Sequence, residues 1–318
     1  MPRRRTDAPS RTVRRPGHPP GGSGRPWAHA PRTPLAHDGT MPEGDTVWLT
    51  ARRLNDALAG QVLTRFDLRV PRFATADQTG RSVLEVTPRG KHLLARIEGG
   101  LTLHSHLRMD GSWRIFASGE RWTGGPEHQI RAVLGTRERT AVGYRLPVLE
   151  LLPTAEEERI TGRLGPDLLG PDWDADTAVA RLRADPARSL GDALLDQRNL
   201  AGIGNVYRCE LAFLARVTPW LPVGELSAET VARLVATAHR LLTANRDTFE
   251  RRTVPGTGHH RPLLYVYGRP GAPCLRCGGP ISTTSRRGPG PAASGDERVT
   301  YWCPGCQLGP APEPGRHS

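Results

Sequence analysis

Hydrophobic residues follow two different spacings, which change near Pro153. Between residues 61 and 153 the apolar residues come in short runs separated by turn residues, as half-buried strands require. These runs predict strands at 83–86, 92–97, 101–107, 113–116, 131–134 and 148–152. So many short strands in one stretch predict a β-sandwich.

Helical spacing flanks this stretch on both sides. A first helix is predicted with Asp45 or Thr46 as its N-cap and Gly60 at its end, and its apolar face is Val47, Ala51, Leu54 and Leu58. After Pro153, helices are predicted at 155–164, 176–183, 190–197, 206–215 and 227–246, the last with Ser227 as N-cap. A link at 254–262 leads to a predicted aromatic strand at 264–267. The fold class is therefore α+β.

The first forty residues have a different composition. They hold eight Pro, five Gly and eight Arg, with almost no apolar periodicity. Such a segment cannot bury a core, so we expect residues 1–40 to be a disordered leader outside the mature protein. They contain no apolar stretch of the kind that marks a secretory signal, and the whole chain has no apolar run long enough to span a membrane. We expect a cytoplasmic protein.

The charge points to a polyanionic partner. The net charge is +12 and half of it, +6, falls in residues 1–40. Of 44 basic residues, 43 are Arg and only Lys91 is Lys. A GC-rich genome would explain the bias toward Arg. The exception either follows by chance or marks a place where a compact ammonium is required.

Four of the five cysteines form two Cys-x-x-Cys pairs. Cys274 and Cys277 are separated from Cys303 and Cys306 by 25 residues. Two such pairs can place four thiolates around one structural Zn²⁺, and we favour this over redox pairs or disulfides. The segment between the pairs carries Arg286, Arg287 and Arg298, which could reach phosphates.

A Gly202-Ile-Gly204-Asn205 turn precedes the predicted helix at 206–215. Two glycines allow close approach of the backbone to a ligand, and a helix N-terminus offers free amides to an anion. An ordinary tight turn between helices would explain the same residues.

Five motifs, in order along residues 41–307, resemble the formamidopyrimidine-DNA glycosylase / endonuclease VIII family. They are Met41-Pro-Glu-Gly-Asp45, Arg89-Gly-Lys91, His104-Ser-His-Leu-Arg-Met109-Asp-Gly111, the Gly202–Asn205 turn and Arg298-Val-Thr-Tyr-Trp-Cys303. The resemblance implies a β-sandwich, a helix–two-turn–helix domain and a zinc-finger hairpin. With the leader at 1–40 inferred from composition, we expect a catalytic domain 41–153, a DNA-binding domain 154–262, a zinc finger 263–307 and a tail 308–318.

The resemblance implies a bifunctional glycosylase and abasic-site lyase of base excision repair. Pro42 matches the family's N-terminal proline, whose amine attacks C1′ of the damaged nucleotide and forms an iminium. Only a free amine has the lone pair for this step, so we expect Met41 to be the initiator and Pro42 the mature terminus. Glu43 matches the acid that protonates the sugar oxygen, and Lys91 matches a lysine beside the lesion.

The remaining matches are DNA contacts. Asn205 and Arg298 match phosphate-binding residues, with Gly204 in the same turn. Met109 matches the wedge that fills the hole left by the extruded nucleotide, with Arg108 beside it. His104 and His106 could be metal ligands, but their place on a strand favours packing. The implied partner is double-stranded DNA with oxidised bases or abasic sites, and we expect a monomer.

Pro-Glu-Gly near the start, Tyr-Trp-Cys-Pro-Gly-Cys near the end and the short link at 249–263 favour the endonuclease VIII branch, hence oxidised pyrimidines over 8-oxoguanine. The chain departs from the family at Asp45-Thr46, where Pro-Glu is common, in about nine extra residues before Arg298, and in its leader. A non-catalytic damaged-DNA-binding protein with a retained leader is the alternative. A zinc-hairpin interaction protein would leave Pro42, Lys91 and the glycine turn unexplained.

Overall fold

In the computed structural model, which describes residues 41–256, 262–287 and 297–312, helix α1 (Gly44–Leu58) is followed by eight strands. These are β1 (Arg65–Leu68), β2 (Val83–Arg89), β3 (His92–Ile97), β4 (Leu101–His106), β5 (Ser112–Ala117), β6 (Ile130–Gly135), β7 (Arg139–Tyr144) and β8 (Val148–Pro153). They form two four-stranded antiparallel sheets with the orders β1-β6-β7-β5 and β2-β3-β4-β8.

One hydrophobic core joins the two sheets to α1. Leu93 and Leu103 from one sheet and Leu134 from the other belong to the same buried cluster as Leu54 and Leu58 of the helix. Burial of such side chains contributes about 1.5–3 kcal/mol each, so this shared core fixes the start of α1 against the sheets. The predicted sandwich is confirmed.

The helical half follows β8. Its helices are α2 (Glu158–Thr161), α3 (Ala175–Arg183), α4 (Leu190–Leu195), α5 (Asn205–Leu214) and α6 (Ala228–Asn245). Ser227 caps α6 as predicted, since its hydroxyl accepts a hydrogen bond from the Thr230 amide at 3.2 Å. A second buried cluster, with Tyr207, Leu211, Leu234 and Leu242 among its members, holds α5 and α6 together.

The last element is an antiparallel hairpin of β9 (Ser282–Arg287) and β10 (Glu297–Trp302). After it, the chain returns to the helical half, where the Leu308 amide donates to the Arg216 carbonyl at 2.9 Å. The predicted leader, part of the link before residue 262 and most of the insertion between the strands of the hairpin lie outside the described residues.

One predicted element is shorter than expected and a second is wrong. The helix expected at 155–164 is present only as a 3₁₀ turn (Thr154–Glu156) and the four residues of α2, and the side chain of Glu157 between them accepts hydrogen bonds from Arg96 and Thr102 of the sheet. The strand expected at 264–267 does not form. The amides of Tyr265, Val266 and Tyr267 donate to the buried carboxylate of Glu210 instead of to a neighbouring strand.

Two strands were missed, and one cap was misplaced. β1 has only four residues, and β7 is buried at five consecutive positions, so neither shows a clear alternation. The N-cap of α1 is Glu43, and neither Asp45 nor Thr46, since Gly44 already begins the helix. Within the described parts of the chain, no helix is long and apolar enough to cross a bilayer.

Candidate active site

A cavity of about 620 Å³ opens where the sheets meet the helical half. Six residues selected from the sequence line it together: Pro42, Lys91, Arg108, Met109, Gly204 and Asn205. They come from the start of α1, the start of β3, the turn after β4 and the start of α5. The fold therefore gathers into one space residues that are up to 163 positions apart in the sequence.

Glu43 lies directly behind this cavity, fully buried. Its carboxylate accepts hydrogen bonds from the amides of Gly204 and Val206 at 2.7 Å each, and from Tyr207 at 3.3 Å. Burial raises the pKa of the Glu43 carboxyl above its ordinary value, while the charges of Arg251 and Lys91 act against the rise. The side chain thus occupies the N-terminal amides of α5 that were expected to be free for an anion.

The glycines of the turn allow this approach. A Cβ on Gly204 would lie 2.6 Å from Cδ of Glu43, and a Cβ on Gly44 would lie 2.9 Å from Cα of Gly202. The Gly44 amide donates to the Gly202 carbonyl at 2.8 Å. The first role of Gly44, Gly202 and Gly204 is to join α1 to the helical half, because a side chain at these positions would separate the two.

Lys91 is held in place by the turn that precedes it. The buried carboxylate of Asp167 accepts from the Gly90 amide at 2.6 Å, and Arg89 forms an ion pair with Asp172. Gly90 has a φ of 57°, which suits glycine. Asp167 was missed in the sequence because it stands in no motif.

Met109 is presented at the tip of a tight turn. The Gly111 amide donates to the Leu107 carbonyl at 2.8 Å, and Arg108 adopts a positive φ of 46°. The Met109 side chain is 46% exposed, which is unusual for a large apolar residue. Its exposure at a strained turn, beside the cavity, suits a side chain that acts on a partner.

Three histidines form one cluster on β3 and β4. Nδ1 of His92 lies 2.9 Å from Nε2 of His104, and the rings of His92 and His106 meet edge to face. Burial lowers the pKa of His92 to about 4 and that of His106 to about 3, so both are neutral at pH 7. Nδ1 of His106 accepts the Arg108 amide at 2.9 Å, which agrees with the packing role expected for this residue.

Asn205 meets the hairpin at the edge of the cavity. Its Nδ2 donates to the Val299 carbonyl at 2.8 Å, and its buried Oδ1 has no hydrogen-bond partner. Tyr267 and Tyr301 line the cavity beside it, with ring centroids 4.9 Å apart. The backbone of Arg298 pairs with Arg286 in the hairpin, but the side chains of both lie outside the described part.

A buried ion pair behind Pro42 was not foreseen. Nε and Nη2 of Arg251 donate to Asp45 at 2.7 and 2.5 Å, and the two side chains are only 3% and 2% exposed. The hydroxyl of Tyr207 donates to the same carboxylate at 2.8 Å. The only sequence signal was Asp45 itself, at a position where the chain departs from the family pattern.

The four cysteines of the two pairs meet at one point. The sulfurs of Cys274, Cys277, Cys303 and Cys306 all lie within 4.8 Å of one another. The Cys274–Cys306 distance is 3.8 Å and the Cys277–Cys303 distance is 3.4 Å. A tetrahedral site with Zn–S bonds of about 2.3 Å has edges of about 3.8 Å, so the donor set fits a zinc ion. Cys209 is not one of the four, although it is fully buried in the same apolar cluster as Cys274 and Cys303.

Comparison with known proteins adds an independent finding. Two family models match: one described as "Formamidopyrimidine-DNA glycosylase N-terminal domain" at residues 41–145, and one described as "Formamidopyrimidine-DNA glycosylase H2TH domain" at residues 164–248. The chain is 68% identical to a Streptomyces coelicolor protein named "Probable endonuclease 8 2", over 86% of this chain and 97% of the relative.

Two further proteins match the chain at lower sequence identity. A "DNA-(apurinic or apyrimidinic site) lyase Nei2" from Mycolicibacterium smegmatis is 48% identical over 84% of this chain and 99% of its own. The solved structure of the MutM (Fpg) protein of Thermus thermophilus is 33% identical, with a TM-score of 0.68, over 85% of this chain and 100% of that one.

Proposed function

The chain belongs to the formamidopyrimidine-DNA glycosylase family, and from this we propose that it excises oxidised pyrimidines from double-stranded DNA and cuts the strand at the resulting abasic site. Its relatives confirm the endonuclease VIII side of the family that the sequence indicated. It is accordingly a DNA-repair glycosylase and abasic-site lyase. The lesion class, the covalent step and the residue roles below are our proposal.

The observation that carries the proposal is the position of Pro42. It lines the cavity together with Lys91 and Asn205, and the Glu43 carboxyl lies immediately behind. With Pro42 as the amino terminus, a secondary amine would open directly into this space. An α-amino group has a pKa near 8, so an appreciable fraction is neutral at pH 7.

The amine nitrogen attacks C1′ of the damaged nucleotide, the glycosidic bond breaks, and the base leaves with the proton that the nitrogen loses. The Glu43 carboxyl gives its proton to the ring oxygen, the sugar opens, and a C1′=N⁺ iminium forms. Loss of a proton from C2′ then expels the 3′-phosphate. Burial supports the acid role of Glu43, because it raises the pKa and favours the protonated form.

The other site residues bind the DNA. The Lys91 ammonium stabilises the phosphate or sugar beside the lesion, and Asn205 and Arg298 hold neighbouring phosphates. Met109 enters the space left by the extruded nucleotide, with Arg108 beside it, and Gly204 gives the strand close access to the turn. The four cysteines hold one structural Zn²⁺, which fixes the hairpin that carries Arg298. We propose a monomer that works on chromosomal DNA in the bacterial cytoplasm.

Borohydride trapping tests the covalent step. Protein with Pro42 at its amino terminus, verified by intact mass, should form a reduced covalent adduct with DNA that contains an abasic site. The unprocessed chain of residues 1–318 is the matched control, and it should form none because its Pro42 nitrogen is an amide. Trapping by the intact control would overturn the assignment of Pro42. Binding without trapping by either protein would favour the non-catalytic alternative.

A further inference from the structure

Arg251 has more contacts than an ion pair with Asp45 requires. Its remaining nitrogen, Nη1, donates to the Met41 carbonyl at 3.2 Å, and Nη2 also donates to the Thr46 hydroxyl at 3.1 Å. Its guanidinium carbon lies 5.0 Å from the centre of the Tyr207 ring. The whole group is therefore immobilised between the start of α1 and the start of α5.

The contact with Met41 locates this charge relative to Pro42. The Met41 carbonyl belongs to the peptide bond whose nitrogen is that of Pro42, and the two atoms of such a bond are about 2.3 Å apart. Nη1 of Arg251 therefore lies within about 5.5 Å of the Pro42 nitrogen. Removal of Met41 leaves this N–H donor without its acceptor, close to the new amine.

Other charged groups act on the same amine. Among the described residues, carboxylates are provided by Glu43 and Asp45, and cations by Lys91 and Arg108. His92 and His106 line the same cavity as neutral rings, together with the Tyr267 and Tyr301 phenols. Asp45 is bound at Nε and Nη2, so Nη1 is the part of the guanidinium that contacts the Met41 carbonyl, next to the Pro42 nitrogen.

Thr253 and Glu210 fix the segment that supplies Arg251. The Thr253 hydroxyl donates to the buried Glu210 carboxylate, which also accepts the amides of residues 265–267. Arg251 is thus held from both sides, by α5 through Glu210 and by α1 through Asp45.

We propose that Arg251, oriented by Asp45, is a positioning residue that keeps the Pro42 amine in its neutral, nucleophilic form. The inference rests on the proposed role of Pro42 as the amino terminus. A protonated amine would carry the same sign of charge as the guanidinium and would direct N–H donors at another donor. The guanidinium therefore disfavours protonation at the atom that must attack C1′.

Reductive methylation tests this without DNA. A chain that begins at Pro42 contains every described helix and strand. It has two aliphatic amines, because Lys91 is its only lysine. Formaldehyde and cyanoborohydride add one methyl group to Pro42 and up to two to Lys91, so peptide mass mapping separates the two sites. The rate at Pro42, measured against pH, gives the midpoint of its titration.

The paired variant Asp45→Asn, Arg251→Gln removes both charges. We expect the Pro42 midpoint to move upward by about one pH unit, and borohydride trapping to fall about tenfold at pH 6 but only about twofold at pH 9. The matched control is Arg52→Gln, Asp247→Asn, an exposed pair with an N–O distance of 2.7 Å, which should leave the midpoint unchanged. A midpoint equal to that of the unaltered protein overturns the proposal.

A second paired variant, Asp45→Leu, Arg251→Met, guards against misfolding, since apolar replacement of a buried ion pair is often tolerated. This variant should show the same upward shift of the Pro42 midpoint. An unshifted midpoint would also contradict the proposed role of Arg251. If the unaltered protein fails to trap on abasic DNA, the proposed function fails. The methylation midpoint still decides the role of Arg251 in that case.

Discussion

The Glu43 carboxylate accepts a 2.7 Å hydrogen bond from the Gly204 amide, although 161 residues separate them. Glu43 is the N-cap of α1, yet its side chain caps α5 instead. One residue therefore helps to hold the two halves of the protein together and also places an acid behind the cavity. Changes at this position should affect both stability and chemistry, and these two effects can be separated.

Glu43→Gln should lower excision of an intact oxidised base by at least about 100-fold, the usual contribution of a general acid. Trapping on a preformed abasic site should fall much less, because that sugar already opens to an aldehyde. Stability should fall by about 1–3 kcal/mol, because the glutamine NH₂ must face an amide donor. Single-turnover excision, trapping and urea unfolding measure the three effects. Equal losses in excision and trapping would remove Glu43 as the acid for ring opening.

Lys91→Arg should retain affinity for DNA that contains a tetrahydrofuran abasic analogue and lose most turnover. A guanidinium is wider than an ammonium and cannot occupy the same position against the sugar or phosphate. Arg159→Lys, at a side chain 54% exposed on α2, is the corresponding reverse exchange and should change neither property. Unchanged excision rates for Lys91→Arg would show that an ammonium is not required here, and chance within an Arg-rich composition would then explain the single lysine.

The histidine cluster should make the protein sensitive to mild acid. His92 and His106 have pKa values lowered by burial to about 4 and about 3, whereas an unfolded chain protonates histidine near 6.5. The unfolded state therefore binds more protons, so the free energy of unfolding should fall as the pH drops from 6.5 toward 4.

His92→Phe removes one of these groups while keeping an aromatic ring in place. Urea midpoints measured at pH 7.0, 6.0 and 5.0 should decline less steeply in this variant than in the unaltered protein. His128→Phe is the control, because that imidazole lies exposed in a 3₁₀ turn (Glu127–Gln129). Parallel declines in all three proteins would contradict the account.

The metal site gives a fourth prediction. Cys303→Ala should abolish stoichiometric zinc and weaken binding to DNA, because the hairpin loses the ion that orders it. Cys209→Ala should retain one zinc per chain, since the Cys209 thiol is buried beside the four-cysteine cluster but is not one of its four sulfurs. Release of zinc to a chromogenic chelator after denaturation measures the content. Equal zinc in both variants would exclude Cys303 as a ligand.

Local patterns were sufficient for much of the fold. The strand at His92–Ile97 was predicted to the residue, because its apolar run has turn residues on both sides. The meeting of the four cysteines was predictable from their spacing alone. Pro42, Lys91 and Asn205 were predictable from the family motifs, and the structure brings them to one cavity.

Long-range pairing accounts for what was missed. Tyr265–Tyr267 looks like a strand, but no sequence pattern shows that Glu210 will accept its amides. Asp45 was expected to cap its own helix, and its partner Arg251 lies 206 residues away. Buried polar groups pair with partners that lie close to them in three dimensions. The periodicity of one segment does not encode which residues those will be.

The contacts of the Glu210 carboxylate determine where the length of this chain can vary. The amides of Thr253 and Val254 donate to the Leu263 carbonyl at 2.9 and 3.1 Å, so the two ends of the intervening segment are already tied together beside Glu210. The entropy of closing a loop grows slowly, by about 0.6 kcal/mol for each doubling of length. Insertions or deletions between residues 255 and 262 should therefore leave Arg251 and the hairpin in place. The length of the chain there can therefore vary without displacing the residues that lie behind Pro42.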